Sequence, residues 1–200
     1  MNELFTLPPR RPTTQAADGL PRWCWTVAET ERLAAAGFFN EYDEFELLGG
    51  EIVPMMSPAG RRHETIRIKL ARRMNQLARE DVMVASEPQF NLSPDTFVKP
   101  DILVHPDAIN TYDLQGADAW LVVEVAETSL SYDLKTKLPL YASHGVPEYW
   151  VINAATLMTT VHRQPSGNAY AVTEELPPGA RLVPSLATEL AVTLNELDLD

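Results

Sequence analysis

Cysteine is almost missing: Cys24 stands alone in 200 residues, which excludes an intramolecular disulfide and a zinc site built on several thiolates. Basic residues are scarce too. Sixteen Lys and Arg face 28 Asp and Glu, a net charge of −12 that argues against a chain whose whole surface coats a phosphate backbone. No apolar run reaches the 18 residues of a membrane-spanning helix, and Met1 to Pro8 lack the basic-then-apolar pattern of a secretory leader. No membrane association is expected, and the cytoplasm is the expected compartment. Three catalytic signatures are absent as well. His63-Glu64 has no second histidine four residues on, Gly49-Gly50 lacks the lysine and flanking glycines of a phosphate loop, and no Gly-x-Ser-x-Gly elbow exists.

What is present suffices for a core, since 45% of the residues are hydrophobic. Residues 1–22, with Pro8, Pro9, Pro12, Pro21 and few apolar anchors, read as a flexible N-terminal arm, and residues 23–200 as a single domain. Thr26-Val27-Ala28-Glu29 has the spacing of a capping box and Gly37 supplies a stop, which predicts a short N-terminal helix. Phe45 to Leu48, Gly49-Gly50 and Glu51 to Val53 predict a β-hairpin. Ile66, Leu70, Met74 and Leu77 recur at helical spacing and predict the longest helix, from Arg62 to Arg79. Strands are expected at Val82–Ala85, Phe97–Val104 with a break at Pro100, Trp120–Val125, Tyr149–Ile152, Thr159–His162 and Ala169–Thr173. Asp133 to Ser143 reads as a helix ending before Gly145, which either begins late, near Thr136, with Pro139 in its first turn, or kinks there. The class is α/β, with a mixed sheet.

The chemistry that remains is that of carboxylates in apolar surroundings. Glu124 lies inside Leu121-Val122-Val123-Glu124-Val125, and a buried ionised carboxylate requires a cationic partner, a metal or a lysine. The bland reading is a glutamate pointing to solvent from a half-exposed strand. Asp101, after Pro100, opens the core strand Ile102-Leu103-Val104. Two hard oxygen ligands on neighbouring strands form a minimal site for Mg²⁺ or Mn²⁺. Of only four lysines, Lys137 lies four residues from both Asp133 and Tyr141, on one helical face, and Lys135 points elsewhere. From Arg61 to Glu80 seven basic residues face two acidic ones, a candidate phosphate-facing helix or a solvated face. His63 opens that helix and could contact a phosphate or a metal-bound water. Glu46 shares a strand face with Glu51 and could extend the acidic cluster; solvent exposure explains it as well.

Val98-Lys99-Pro100-Asp101-Ile102, Leu121 to Val125, Tyr132-Asp133 with Lys137 and Tyr141, and above all Gly145-Val146-Pro147-Glu148-Tyr149-Trp150-Val151-Ile152 resemble the Uma-two family of bacterial endonucleases, within the PD-(D/E)XK, or restriction-endonuclease-like, superfamily. The likeness runs roughly from Thr26 to Gln164. It implies a core of a mixed four-stranded sheet flanked by helices, a divalent metal held by Asp101, Glu124 and the backbone carbonyl of Val125, and phosphodiester hydrolysis, with DNA as the expected substrate. Ala126 replaces the lysine that the superfamily places two residues after the glutamate, so the resemblance implies that Lys137 takes the role, with Lys135 second. Ala126-Glu127-Thr128-Ser129 departs from the Ser-Pro-Ser-type loop of the family. A non-catalytic module that binds nucleic acid or a protein through the same fold is the alternative. Cutting both strands needs two sites, which makes a homodimer one possible assembly.

Overall fold

The computed structural model describes residues 23–39, 44–55 and 60–199; the expected arm and the Ser57-Pro58 pair lie outside them. The elements are α1 (Val27–Ala35), β1 (Phe45–Leu48), β2 (Glu51–Pro54), α2 (Arg61–Leu77), β3 (Val82–Ser86), β4 (Phe90–Ser93), β5 (Thr96–Val98), β6 (Ile102–Pro106), β7 (Leu121–Ala126), α3 (Leu130–Tyr132), α4 (Leu138–Ser143), β8 (Glu148–Asn153), β9 (Thr159–Ser166), β10 (Ala169–Leu176), β11 (Arg181–Leu182) and β12 (Val192–Thr193). A π turn, Asp133–Lys137, joins α3 to α4. The chain divides into two compact units, Met1–Met56 with Asn91–Val98 and Ser57–Phe90 with Lys99–Asp200.

The smaller unit is built on a sheet of order β2-β1-β5-β4. Its helix starts at the capping box: the Glu29 N–H donates to the Thr26 hydroxyl at 3.2 Å and the Thr26 N–H donates to the Glu29 carboxylate at 2.8 Å. Gly49 and Gly50 both adopt positive φ, and the hairpin sets Leu48 opposite Glu51, the pairing a two-residue turn demands. Val27, Leu47 and Phe97 form the buried core of this unit.

The larger unit holds a six-stranded sheet of order β10-β9-β8-β7-β6-β3. Every pairing is antiparallel except β7 with β8. A parallel neighbour needs a crossover, which α3, the π turn and α4 supply. All six β7 residues are buried. Alternation then divides them. Leu121, Val123 and Val125, with Trp150 and Ile152 of β8, share a core with Ile66, Leu70 and Met74 of α2. Tyr149, one residue out of step with Trp150, meets Tyr141 of α4 at a ring separation of 4.9 Å.

Four features differ from the sequence reading. The run 97–104 is two strands in two sheets, parted at Pro100, which has no N–H for a ladder and fixes its own φ. Strand β4 escaped notice because its alternation of Phe90 and Leu92 with Asn91 and Ser93 lasts only four residues. The main sheet has six strands where the resemblance implied four. Finally, the segment expected as helix from Asp133 opens with a π turn: Leu138 donates its N–H to the Asp133 carbonyl five residues back, and α4 begins there with Pro139 in its first turn, the late start that was one of the two expected alternatives.

Candidate active site

The register of β6 on β7 pairs Ile102 with Val123, and one further step sets Asp101 opposite Glu124. The Val125 N–H donates to Asp101 Oδ2 at 2.6 Å, so the strand that carries one carboxylate orients the other. Asp101 is 7% exposed and Glu124 5%, which makes partners obligatory for the ionised forms. Glu124 has two on one oxygen. Lys137 Nζ donates to Oε1 at 2.9 Å and the Tyr141 hydroxyl donates to the same atom at 3.0 Å. Lys137 is itself only 4% exposed, whereas Lys135 is exposed. Asp133, Lys137 and Tyr141 are all buried along the inner side of the crossover. The Ser129 hydroxyl donates to Asp133 Oδ2 at 2.6 Å, and the Tyr149 hydroxyl donates to the Asp133 carbonyl at 3.3 Å. Burial, with the charge of Glu124 adding, pushes the Tyr149 hydroxyl well above its ordinary pKa, so it remains a donor.

Asp101 meets an imidazole from the other helix. His63 Nε2 lies 3.0 Å from its carboxylate. Burial alone pulls the imidazole pKa down, but the hydrogen bond and charge of Asp101, joined by Glu64, outweigh it and leave the pKa above its usual value. Behind this pair Arg67 bridges Glu64 at 2.6 Å and Glu87 at 2.9 Å. Glu87 holds the left-handed backbone conformation at φ 49°, uncommon without glycine, and its N–H donates to the Asp101 carbonyl at 3.2 Å. Burial pushes the Glu87 carboxyl up, with the Arg67 charge opposing. Asp101 is thus held by main chain and side chain together.

The structure brings Asp101, Glu124, Lys137 and His63 into one connected set. Glu46 belongs to the smaller unit, where it lies on β1 at 2% exposure. Sequence reasoning missed Glu87, which carries no signal beyond standing before Pro88, and the bridging of Arg67, for which the Glu64–Arg67 spacing was the available clue. Part of the basic charge of residues 61–80 is already engaged. Arg62 donates to the carbonyls of Ala154 and Ala155, Lys69 pairs with Asp198 at 3.3 Å, and Arg79 pairs with Asp81 at 2.9 Å and Glu189 at 3.5 Å. Among the described residues no ion pair holds Arg61, Arg72 or Arg73.

Two carboxylates set opposite each other on adjacent strands are hard oxygen donors of the kind that Mg²⁺ or Mn²⁺ takes. Among the described residues no group of three or more His, Cys, Asp or Glu side chains is arranged to hold an ion. A site of two acids suits an ion that keeps positions for water and a phosphate oxygen.

The sequence profile of the Uma2 family, described as "Putative restriction endonuclease", matches residues 27–196. A crystal structure described as a putative nuclease belonging to DUF820, from Anabaena variabilis, superposes with a TM-score of 0.67 at 20% identity, over 87% of this chain and 96% of that one. No curated protein matches.

Proposed function

Since this chain belongs to the Uma2 family, we propose that it is a metal-dependent endonuclease that hydrolyses phosphodiester bonds in DNA. The observation that carries this reading is the buried pair of carboxylates, Asp101 and Glu124, with the Lys137 ammonium 2.9 Å from Glu124. Asp101, Glu124 and the Val125 carbonyl would hold Mg²⁺ or Mn²⁺, which supplies polarisation of the phosphate and an acidified water. Lys137 orients the attacking water and offsets the negative charge that develops on the phosphate, the task the superfamily gives to a lysine where this chain has Ala126. Tyr141 fixes the Glu124 oxygen that Lys137 also holds. His63 keeps its Nε2 against Asp101 and steadies that carboxylate. Arg61, Arg62, Arg72 and Arg73 are the groups of α2 with no acidic partner among the described residues and so with charge to offer a DNA backbone.

The second reading is a binding module without turnover, favoured by the acidic chain and by a Glu124–Lys137 pair already closed on itself. Mn²⁺ titration by calorimetry and nicking of supercoiled plasmid with Mg²⁺ decide between them. Metal binding with metal-dependent nicking supports the enzyme, and the absence of both assigns the fold to binding. Light scattering on the same samples tests for the homodimer.

A further inference from the structure

We infer that Glu127 is a positioning residue: its carboxylate caps the N-terminus of α2 and so fixes His63 against Asp101. Glu127 follows the last residue of β7, three positions after Glu124. It accepts the backbone N–H of His63 on Oε2 at 3.1 Å. His63 is the third residue of α2, and its amide has no partner within the helix. The usual donor of a capping oxygen is the N-cap residue, and here that residue is Gly60, which has no side chain. The two positions are complementary. A Cβ on Gly60 would lie 2.2 Å from Glu127 Oε2, 2.5 Å from its Cδ and 2.6 Å from Oε1. The glutamate therefore occupies the place of the missing cap, where the helix dipole favours negative charge.

These contacts close a circuit. Strand β7 carries Glu124, its Val125 N–H holds Asp101, His63 meets Asp101 at 3.0 Å from α2, and Glu127 returns α2 to the end of β7. The departure of Ala126-Glu127-Thr128-Ser129 from the loop expected of the family thus has a local purpose. Gly60 sits at φ −64°, which alanine tolerates, so Gly60→Ala would displace the flexible carboxylate rather than the backbone. It breaks the cap without altering Glu127.

The effect on cleavage rests on the nuclease reading, whereas the contact does not. The first measurements are made by NMR on the metal-free protein: amide exchange at His63 and the long-range proton–nitrogen signature of its Nε2. Glu127→Ala and Gly60→Ala should each speed exchange by about tenfold, the scale of a lost cap, and move the Nε2 resonance from its hydrogen-bonded position. Glu127→Gln keeps an acceptor oxygen and should stay within about threefold of wild type. Combining the two alanine substitutions should add nothing, since both remove one contact. Unchanged exchange and Nε2 signals in both alanine variants, or additive effects in the double variant, would overturn the proposal. In cleavage, the alanine variants should lower kcat about tenfold at constant KM, with Glu127→Gln restoring it. A Glu127→Gln enzyme as slow as Glu127→Ala would assign Glu127 a role of charge and overturn positioning. If the NMR signals respond as expected while wild type cuts nothing, the positioning stands and the nuclease reading falls.

Discussion

Glu148 on β8 is wholly buried, and fixed donors surround it: Trp150 Nε1 at 2.6 Å and Arg163 at 3.0 Å on Oε1, and the Ser185 N–H at 2.7 Å on Oε2. Arg163 also donates to the Val183 carbonyl at 3.1 Å, so the cluster ties the 183–185 segment to the sheet. Glu124, one strand away on β7, meets an ammonium and a phenol that converge on a single oxygen. Both glutamates are buried beside a cation, yet the donors differ in kind. An indole, a guanidinium and a backbone amide lock a carboxylate into the architecture, while a lysine on a four-carbon stem leaves it a group that chemistry can use. The Gly145 to Ile152 segment, the most specific part of the family resemblance, carries the architectural member of the pair.

The comparison breaks most visibly at Asp101 and Glu124, the two acids proposed to hold the metal. Asp101→Asn and Glu124→Gln keep the shape and remove the anionic oxygen, so each should cut cleavage by about a thousandfold or more with an unaltered circular dichroism spectrum. Full activity in either would remove the site. Glu148→Ala should do the reverse. Removing one partner of a buried pair should cost about 3 kcal/mol in urea unfolding, with cleavage per folded molecule unchanged. Next comes the lysine. Lys137→Met should slow single-turnover cleavage by about a hundredfold while Mn²⁺ affinity holds, and Lys135→Met should change the rate by less than about twofold.

The smallest effect sharpens the structural side. His162 on β9 is buried between the rings of Tyr149 and Tyr170, and burial lowers its pKa from the ordinary 6.5. The unfolded chain then binds the proton more readily than the folded one. The contribution to stability is complete above about pH 6.5 and is lost as the pH falls through the depressed folded value. The urea midpoint should fall further between about pH 7.5 and pH 5 in wild type than in His162→Gln. Equal pH dependence in the two proteins would show that another group governs it.

The readable parts of this chain were the local ones. The capping box at Thr26, the glycine turn at 49–50, the helical stripe of α2 and the apolar run of β7 each complete their pattern within a few residues. The acid and lysine residue types of the candidate site were legible too, because a carboxylate in an apolar run demands an explanation. What escaped depends on distant chain. Lys69 pairs with Asp198 from the far end of the chain, and Arg79 adds distant Glu189 to its near neighbour Asp81, so a count over residues 61–80 overstates the unpaired charge. The Glu87 contact to Asp101 and the Glu127 cap on α2 join segments whose spacing in sequence has no periodicity to betray them.

The π turn at 133–137 has a consequence for how the length of this crossover can vary. Such a turn holds one residue more than the α turn it replaces. Excising Lys135 or Thr136 should therefore close the Asp133–Leu138 bond as an ordinary helical one and leave Lys137 and Tyr141 seated on Glu124. Excising Leu140, by contrast, turns Tyr141 by about 100° relative to Lys137 and parts the two donors. The slack lies upstream of the lysine, so relatives of this chain should differ in length there and keep a fixed spacing from Lys137 to Tyr141.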